Sequence, residues 1–215
     1  MSKEWIKQRM TDPYYRKARS EGYRSRAAYK LKEIDSRLSL IKQGSRVLDV
    51  GAAPGGWSQV AVERAGEEGT IVAVDIIGMV PIPGVTFILG DITEASTVDE
   101  VLKVSPEYDV VVSDASPKLS GNKVFDRGRD YALCHAVMTL ALRVLRPGGT
   151  AVLKVFQGDE LIELREEFSV SFRSVDTLKP RSSIGRSSEV FLAFRGRRRD
   201  VQTSEPGSPG SDGSD

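Results

Sequence analysis

Three features of this 215-residue chain could do chemistry. The first is the small-residue loop GAAPGGW, running from Gly51 through Gly55 to Trp57. Missing side chains there would let a ligand approach the backbone where a strand hands over to a helix. The second is a series of acids, Asp75, Asp91 and Asp114, each following a β-branched run. An α/β nucleotide-binding domain places carboxylates at such strand ends, where they accept hydrogen bonds from ribose hydroxyls. Singly, each acid also fits a helix cap or a turn; three at successive strand ends point to a ligand. The third is Lys154, which interrupts the apolar run AVLKVF at 151–156. An unpaired ammonium is costly to bury in a central strand, which puts this residue near the strand's open end.

The same residues exclude other chemistry. G-A-A-P-G-G is not the G-x-G-x-x-G of a dinucleotide site, and no GK[ST] of a phosphate-binding loop follows it, so hydride and phosphoryl transfer lose ground. A nicotinamide-dependent oxidoreductase would share the α/β pattern and stays open as an alternative. His135, the one histidine, adjoins Cys134, the one cysteine, without further ligands at metal-site spacing. No metal is expected.

The elements that must position these residues alternate. Strands fit 46–50, 70–75, 85–89, 109–113 and 150–156, with helical patterns at 57–65, 94–104, 130–145 and 159–168, the third stopped by Pro147, Gly148 and Gly149. Strands alternating with crossover helices imply a mostly parallel sheet covered on both faces. Two further strands, 171–178 and 189–194, are joined by a polar loop too short for a crossover helix, so they must pair antiparallel. A leading helix is expected near 25–40.

A net charge of +1 conceals an uneven distribution: residues 1–32 carry ten Lys or Arg against three acids. With Trp5, Tyr14, Tyr15, Tyr23 and Tyr29 among these charges, the segment could track a phosphate backbone and stack on unpaired bases; a solvated basic arm is the plainer alternative. Lys179, Arg181, Arg186 and the RGRRR at 195–199 add cations further on. The ending TSEPGSPGSDGSD, 203–215, is too polar to offset its ordering entropy and is expected to be disordered. One unpaired cysteine, no signal-like start and no apolar run of spanning length imply a cytoplasmic protein with no membrane partner.

The motifs DVGAAPGGWSQV, GD at 90–91, SDASPKLSG at 113–121, LKVFQG at 153–158 and RSSEVFLAFRG at 186–196 resemble those of the FtsJ/RrmJ ribosomal RNA methyltransferases, and the resemblance runs from SRAAYKL at 25–31 to residue 196. It implies a Rossmann-like class I fold, a seven-stranded mostly parallel sheet with an antiparallel final strand. Residues 25–199 would form the methyltransferase domain, with a basic arm at 1–24 and a polar tail at 200–215. The implied cofactor is S-adenosyl-L-methionine: Gly51, Gly55 and Trp57 in its loop, Asp75 on its ribose, Asp91 facing the adenine, Asp114 near the methionine end. A Lys-Asp-Lys-Glu tetrad is implied as well, filled here by Lys30, Asp114, Lys154 and Glu189.

The reaction so implied is 2'-O-methylation of a ribose, at a uridine of large-subunit ribosomal RNA. Transfer RNA as substrate, or a noncatalytic ribosome-assembly factor on the same fold, are the alternatives. A ribose hydroxyl is a poor nucleophile while protonated, so a base is wanted. An amine serves only when neutral, which requires it to lose its proton more readily than a free lysine, of pKa about 10.4. Lys154 is the expected base, with Lys30, Asp114 and Glu189 orienting amine and hydroxyl.

Overall fold

The computed structural model describes residues 12–117, 120–183 and 187–199. Trp5, Arg186 and the polar tail from 200 onward lie outside the described residues. In chain order the elements are α1 (Pro13–Ser20), α2 (Ala28–Leu38), β1 (Arg46–Val50), α3 (Gly56–Ala65), β2 (Thr70–Asp75), β3 (Val85–Leu89), α4 (Ala95–Val104), β4 (Tyr108–Ser113), α5 (Lys123–Val144), β5 (Leu145–Phe156), α6 (Asp159–Ser169), β6 (Phe172–Leu178) and β7 (Glu189–Arg197).

The sheet order is β3-β2-β1-β4-β5-β7-β6. β1 to β5 pair in parallel, and β7 runs antiparallel to both β5 and β6. The expected seven-stranded sheet with an antiparallel final strand is therefore present. Because successive side chains alternate between faces, each central strand feeds two cores. Leu48, Val72, Val111 and Leu153 pack with Val101, Met138, Ala141 and Leu164 of α4, α5 and α6. Val47, Ile71, Val110 and Val152 pack with Leu31 and Ile34 of α2 and Val60 and Ala61 of α3. Both faces of the central strands are covered, so their polar side chains reach solvent near the strand ends.

Two element starts differ from the sequence reading by more than a few residues. Helix α5 begins at Lys123, not 130, because Asn122 Oδ1 accepts from Phe125 N and the Asp126 carboxylate reaches back to Ser120 N and Gly121 N. The first bond satisfies a first-turn amide that an uncapped helix would leave unpaired, and the Asp126 bonds tie the preceding loop back onto the helix. Strand β5 begins at Leu145, directly after the helix. Pro147, Gly148 and Gly149 lie within it as an irregularity: the register with β4 slips between Tyr108 and Val110, and Gly148 takes φ +83°. These residues stop the helix but bulge the strand.

The basic arm contains α1. The Asp12 carboxylate accepts from Tyr14 N and Tyr15 N at its start, Ala18 is buried, and the Tyr29 hydroxyl of α2 donates to Glu21 just beyond its end. Residues 13–21 thus pack onto the body of the protein.

Candidate active site

Period-2 geometry explains how distant residues meet. Val112, Val152 and Phe191 all point into the core layer beneath α2 and α3. Asp114, Lys154 and Glu189, two positions along their respective chains, therefore come to the same side of the sheet. They also share one end: Lys154 approaches the carboxyl terminus of β5, while Glu189 opens the antiparallel β7 and pairs with Phe156. Helix α2 lies over this corner and brings Lys30.

The four side chains are in contact. Lys30 Nζ stands 2.8 Å from Glu189 Oε1 and 3.4 Å from Asp114 Oδ1. Lys154 Nζ lies 3.2 Å from Asp114 Oδ1 and donates to the Asp114 backbone carbonyl at 2.7 Å. Side-chain exposure is between 8 and 17% for all four. Burial pushes the Glu189 carboxyl up, but the adjacent Lys30 ammonium, the Ser183 hydroxyl and Lys154 outweigh this and hold it below its ordinary value. Two lysine amines alternate with two carboxylates in this corner, so each amine has an acid beside it.

Beside this corner opens a cavity of about 720 Å³, and Asp114 belongs to both. Gly51, Asp75, Asp91, Ile76, Ile77 and Leu133 are among its lining residues. The volume suits a cofactor-sized molecule. Gly51 takes φ +72°, and a Cβ there would lie 2.4 Å from that of Ala115, so the loop must be bare at this point. Asp75 accepts from Ala53 N and Ile77 N, one on each oxygen, which fixes the carboxylate at the cavity wall. Hydrogen bonds from Thr93 N and the Thr93 hydroxyl lower the Asp91 pKa against a weaker effect of burial, so it is anionic near neutrality. A wall combining three carboxylates with isoleucines and a leucine fits S-adenosylmethionine: apolar surface for the adenine, acceptors for ribose hydroxyls, and negative charge for a cation.

Two expected cofactor residues do not line this cavity. Trp57 is 3% exposed; its indole donates to Ala27 O at 2.8 Å and its ring packs 5.6 Å from Phe191. It joins α3 to α2 and β7, the correction that its position at the start of a buried helix requires. Gly55 caps α3 at φ +107°, where a Cβ would meet Ile82 at 2.5 Å; its role is the turn itself. His135 is a surface residue bonded to Glu167, and Cys134 is buried with its thiol donating to Lys154 O. Among the described residues no cluster of His, Cys, Asp or Glu is arranged to hold a metal.

The sequence reading overlooked Asp49. Buried in β1, it accepts from Ser58 Oγ at 2.6 Å. Burial pushes its pKa up to about 7, with Asp114 and Asp75 adding to the rise and Ser58 opposing it. The DVG preceding the glycine loop contains this acid, and an acid inside an apolar strand carries the same signal as Lys154.

Comparison with known proteins agrees with this architecture. The model of the FtsJ-like methyltransferase family matches residues 23–197. Ribosomal RNA large subunit methyltransferase E of Acinetobacter baumannii is 43% identical over 94% of this chain and 94% of its own length. The protein of the same name from Azoarcus sp. is 44% identical over 89% and 94%. Among solved structures, a Plasmodium falciparum protein described as a ribosomal RNA methyltransferase superposes with TM-score 0.74 at 30% identity, covering 81% of this chain and 98% of that one. The chain belongs to the FtsJ-like methyltransferase family.

Proposed function

We propose that this chain, an S-adenosylmethionine-dependent RNA methyltransferase by its family, methylates the 2'-hydroxyl of a ribose, at a uridine of large-subunit ribosomal RNA in the cytoplasm. The observation that carries the reading is the arrangement about Lys154. A neutral amine has two N–H donors and one lone pair. At Lys154 two acceptors, the Asp114 carbonyl and Asp114 Oδ1, are already in place, so the lone pair is left for a substrate hydroxyl.

Bound S-adenosylmethionine supplies an electrophilic methyl carbon on a sulfonium that leaves as a neutral thioether. Asp75, Asp91 and the Gly51 loop would hold it, with Asp114 at the junction between cavity and tetrad. Lys154 Nζ accepts the ribose hydroxyl proton as the new O–C bond forms and the S–C bond breaks, becoming an ammonium stabilised by Asp114 Oδ1. Lys30 and Glu189 form the opposite wall: the amine of Lys30 donates toward the hydroxyl oxygen, and Glu189 fixes that amine. Positioning and proton removal are the protein's two contributions.

RNA has cationic surface to reach. A groove of about 600 Å³ beside α2 has Lys17, Lys32, Arg37 and Arg181 in its walls against the acids Glu21 and Glu33, with the ring of Tyr14 beside them. The named relatives, ribosomal RNA methyltransferases of the large subunit, favour this substrate. The test is transfer of labelled methyl from S-adenosylmethionine to large ribosomal subunits, to their extracted RNA and to transfer RNA. The labelled linkage is then challenged with alkali, which cannot cleave next to a blocked 2'-hydroxyl. Alkali-resistant label on the large subunit or its RNA is expected. Preferential labelling of transfer RNA would replace the substrate, and cofactor binding without any transfer would favour an assembly factor.

A further inference from the structure

Helix α2 carries, one turn from Lys30, a second acid–base contact that the tetrad does not use. The Glu33 carboxylate accepts from two consecutive backbone amides of the β6–β7 connection: Arg181 N on Oε2 at 2.6 Å and Ser182 N on Oε1 at 3.0 Å. The same Ser182 is held from its other side, because its carbonyl accepts from the guanidinium of Arg26, which also pairs with Asp12. Ser182 is fully buried between these two grips. Near the end of the same connection, the Ser187 hydroxyl accepts from Glu189 N at 3.1 Å. Residues three apart on a helix share a face. One face of α2 therefore presents Lys30 to Glu189 at the end of the β6–β7 connection and Glu33 to the Arg181 and Ser182 amides near its start.

We propose that Glu33 is a positioning residue for methyl transfer, clasping the Arg181–Ser182 turn to α2 so that Glu189 meets Lys30 in the productive geometry. This rests on the methyltransferase reading above. Glu33 touches no reacting atom. Its effect passes through the position of the β6–β7 connection to Glu189 at its end, and from there to the amine of Lys30. Two amides aimed at two separate carboxylate oxygens make the contact specific: a carboxylate satisfies both, whereas a carboxamide of the same shape offers one acceptor and turns an N–H toward the other amide.

The discriminating variant is Glu33→Gln, compared with wild-type protein on whichever RNA wild type methylates best. The expected result is a fall of about tenfold in kcat, the size of one charge-assisted hydrogen bond. The KM for RNA and the Kd for S-adenosylmethionine by calorimetry should stay within about twofold. Amide hydrogen exchange should speed up at Arg181 and Ser182 while the sheet stays protected, which reads the clasp without reference to activity. An unchanged kcat, unchanged exchange at these amides, or an equal loss of cofactor binding would each overturn the proposal. If wild-type protein labels no RNA, the parent reading fails; if it labels RNA and Glu33→Gln equals it, the clasp alone fails.

Discussion

Lys30 Nζ and Glu189 Oε1 meet at 2.8 Å across the corner where α2 covers the start of β7. Glu189 enters this contact from an antiparallel strand and Lys30 from a helix near the other end of the chain, so the fold alone makes the pair. Their mutual charge holds a half-buried carboxylate ionised beside the proposed base.

Glu189→Gln keeps shape but removes the countercharge of Lys30. Loss of a charge-assisted contact, about 1.5–3 kcal/mol, should slow single-turnover methyl transfer by roughly tenfold to a hundredfold, with cofactor affinity unchanged. Rapid-quench measurement with excess enzyme checks this.

The same carboxylate contributes to acid stability. Its folded pKa lies below the ordinary 4.5, so its contribution is present above that value and is lost as pH falls below it toward the folded pKa. Denaturant midpoints measured from pH 5 to pH 3 should drop less steeply for Glu189→Gln than for wild type.

Asp49 has the opposite sign. With its folded pKa raised from 3.8 to about 7, the native state holds a proton that the unfolded state releases, so this residue lowers stability progressively as pH rises through that window. Asp49→Asn should gain stability relative to wild type between pH 4 and pH 8. A constant difference across the range would show Asp49 ionised in the native protein.

In the cavity proposed to hold the cofactor, Asp75→Ala removes a lining carboxylate that orders the loop through Ala53 N and Ile77 N. Cofactor affinity should weaken by roughly tenfold to a hundredfold, the effect of one or two lost hydrogen bonds to a charged group. Trp57→Phe makes the contrast: it gives up the bond to Ala27 O at a cost of about 1 kcal/mol in stability and leaves cofactor affinity intact. Calorimetric titration and thermal unfolding of both variants separate the two roles.

Much of this architecture is legible in the sequence because it rests on local pattern. Apolar runs of strand length separated by helical spacing give the sheet, and Lys154 in its apolar strand betrays itself by being out of place. What local pattern cannot supply is the cap that starts α5 at Lys123, since the reciprocal bonds of Asn122 and Asp126 depend on how the loop folds back. Pro147 to Gly149 were legible as a helix stop but not as a bulge, because a bulge is defined only against its partner strand. Trp57 illustrates the same limit: its place in a ligand loop and its burial against Phe191 differ by the direction of one side chain. Glu33 carries no sequence signal at all, because its partners are backbone amides.

Whether Lys154 removes the ribose proton is decided by single-turnover transfer with Lys154→Ala and Lys154→Arg. Arginine keeps the positive charge beside Asp114 but cannot give up its proton near neutrality. A base role for Lys154 requires both variants to bind S-adenosylmethionine normally and to lose at least about a hundredfold in rate, the usual contribution of a positioned base. Transfer by either variant at close to the wild-type rate would contradict it, and activity confined to Lys154→Arg would assign Lys154 to charge alone.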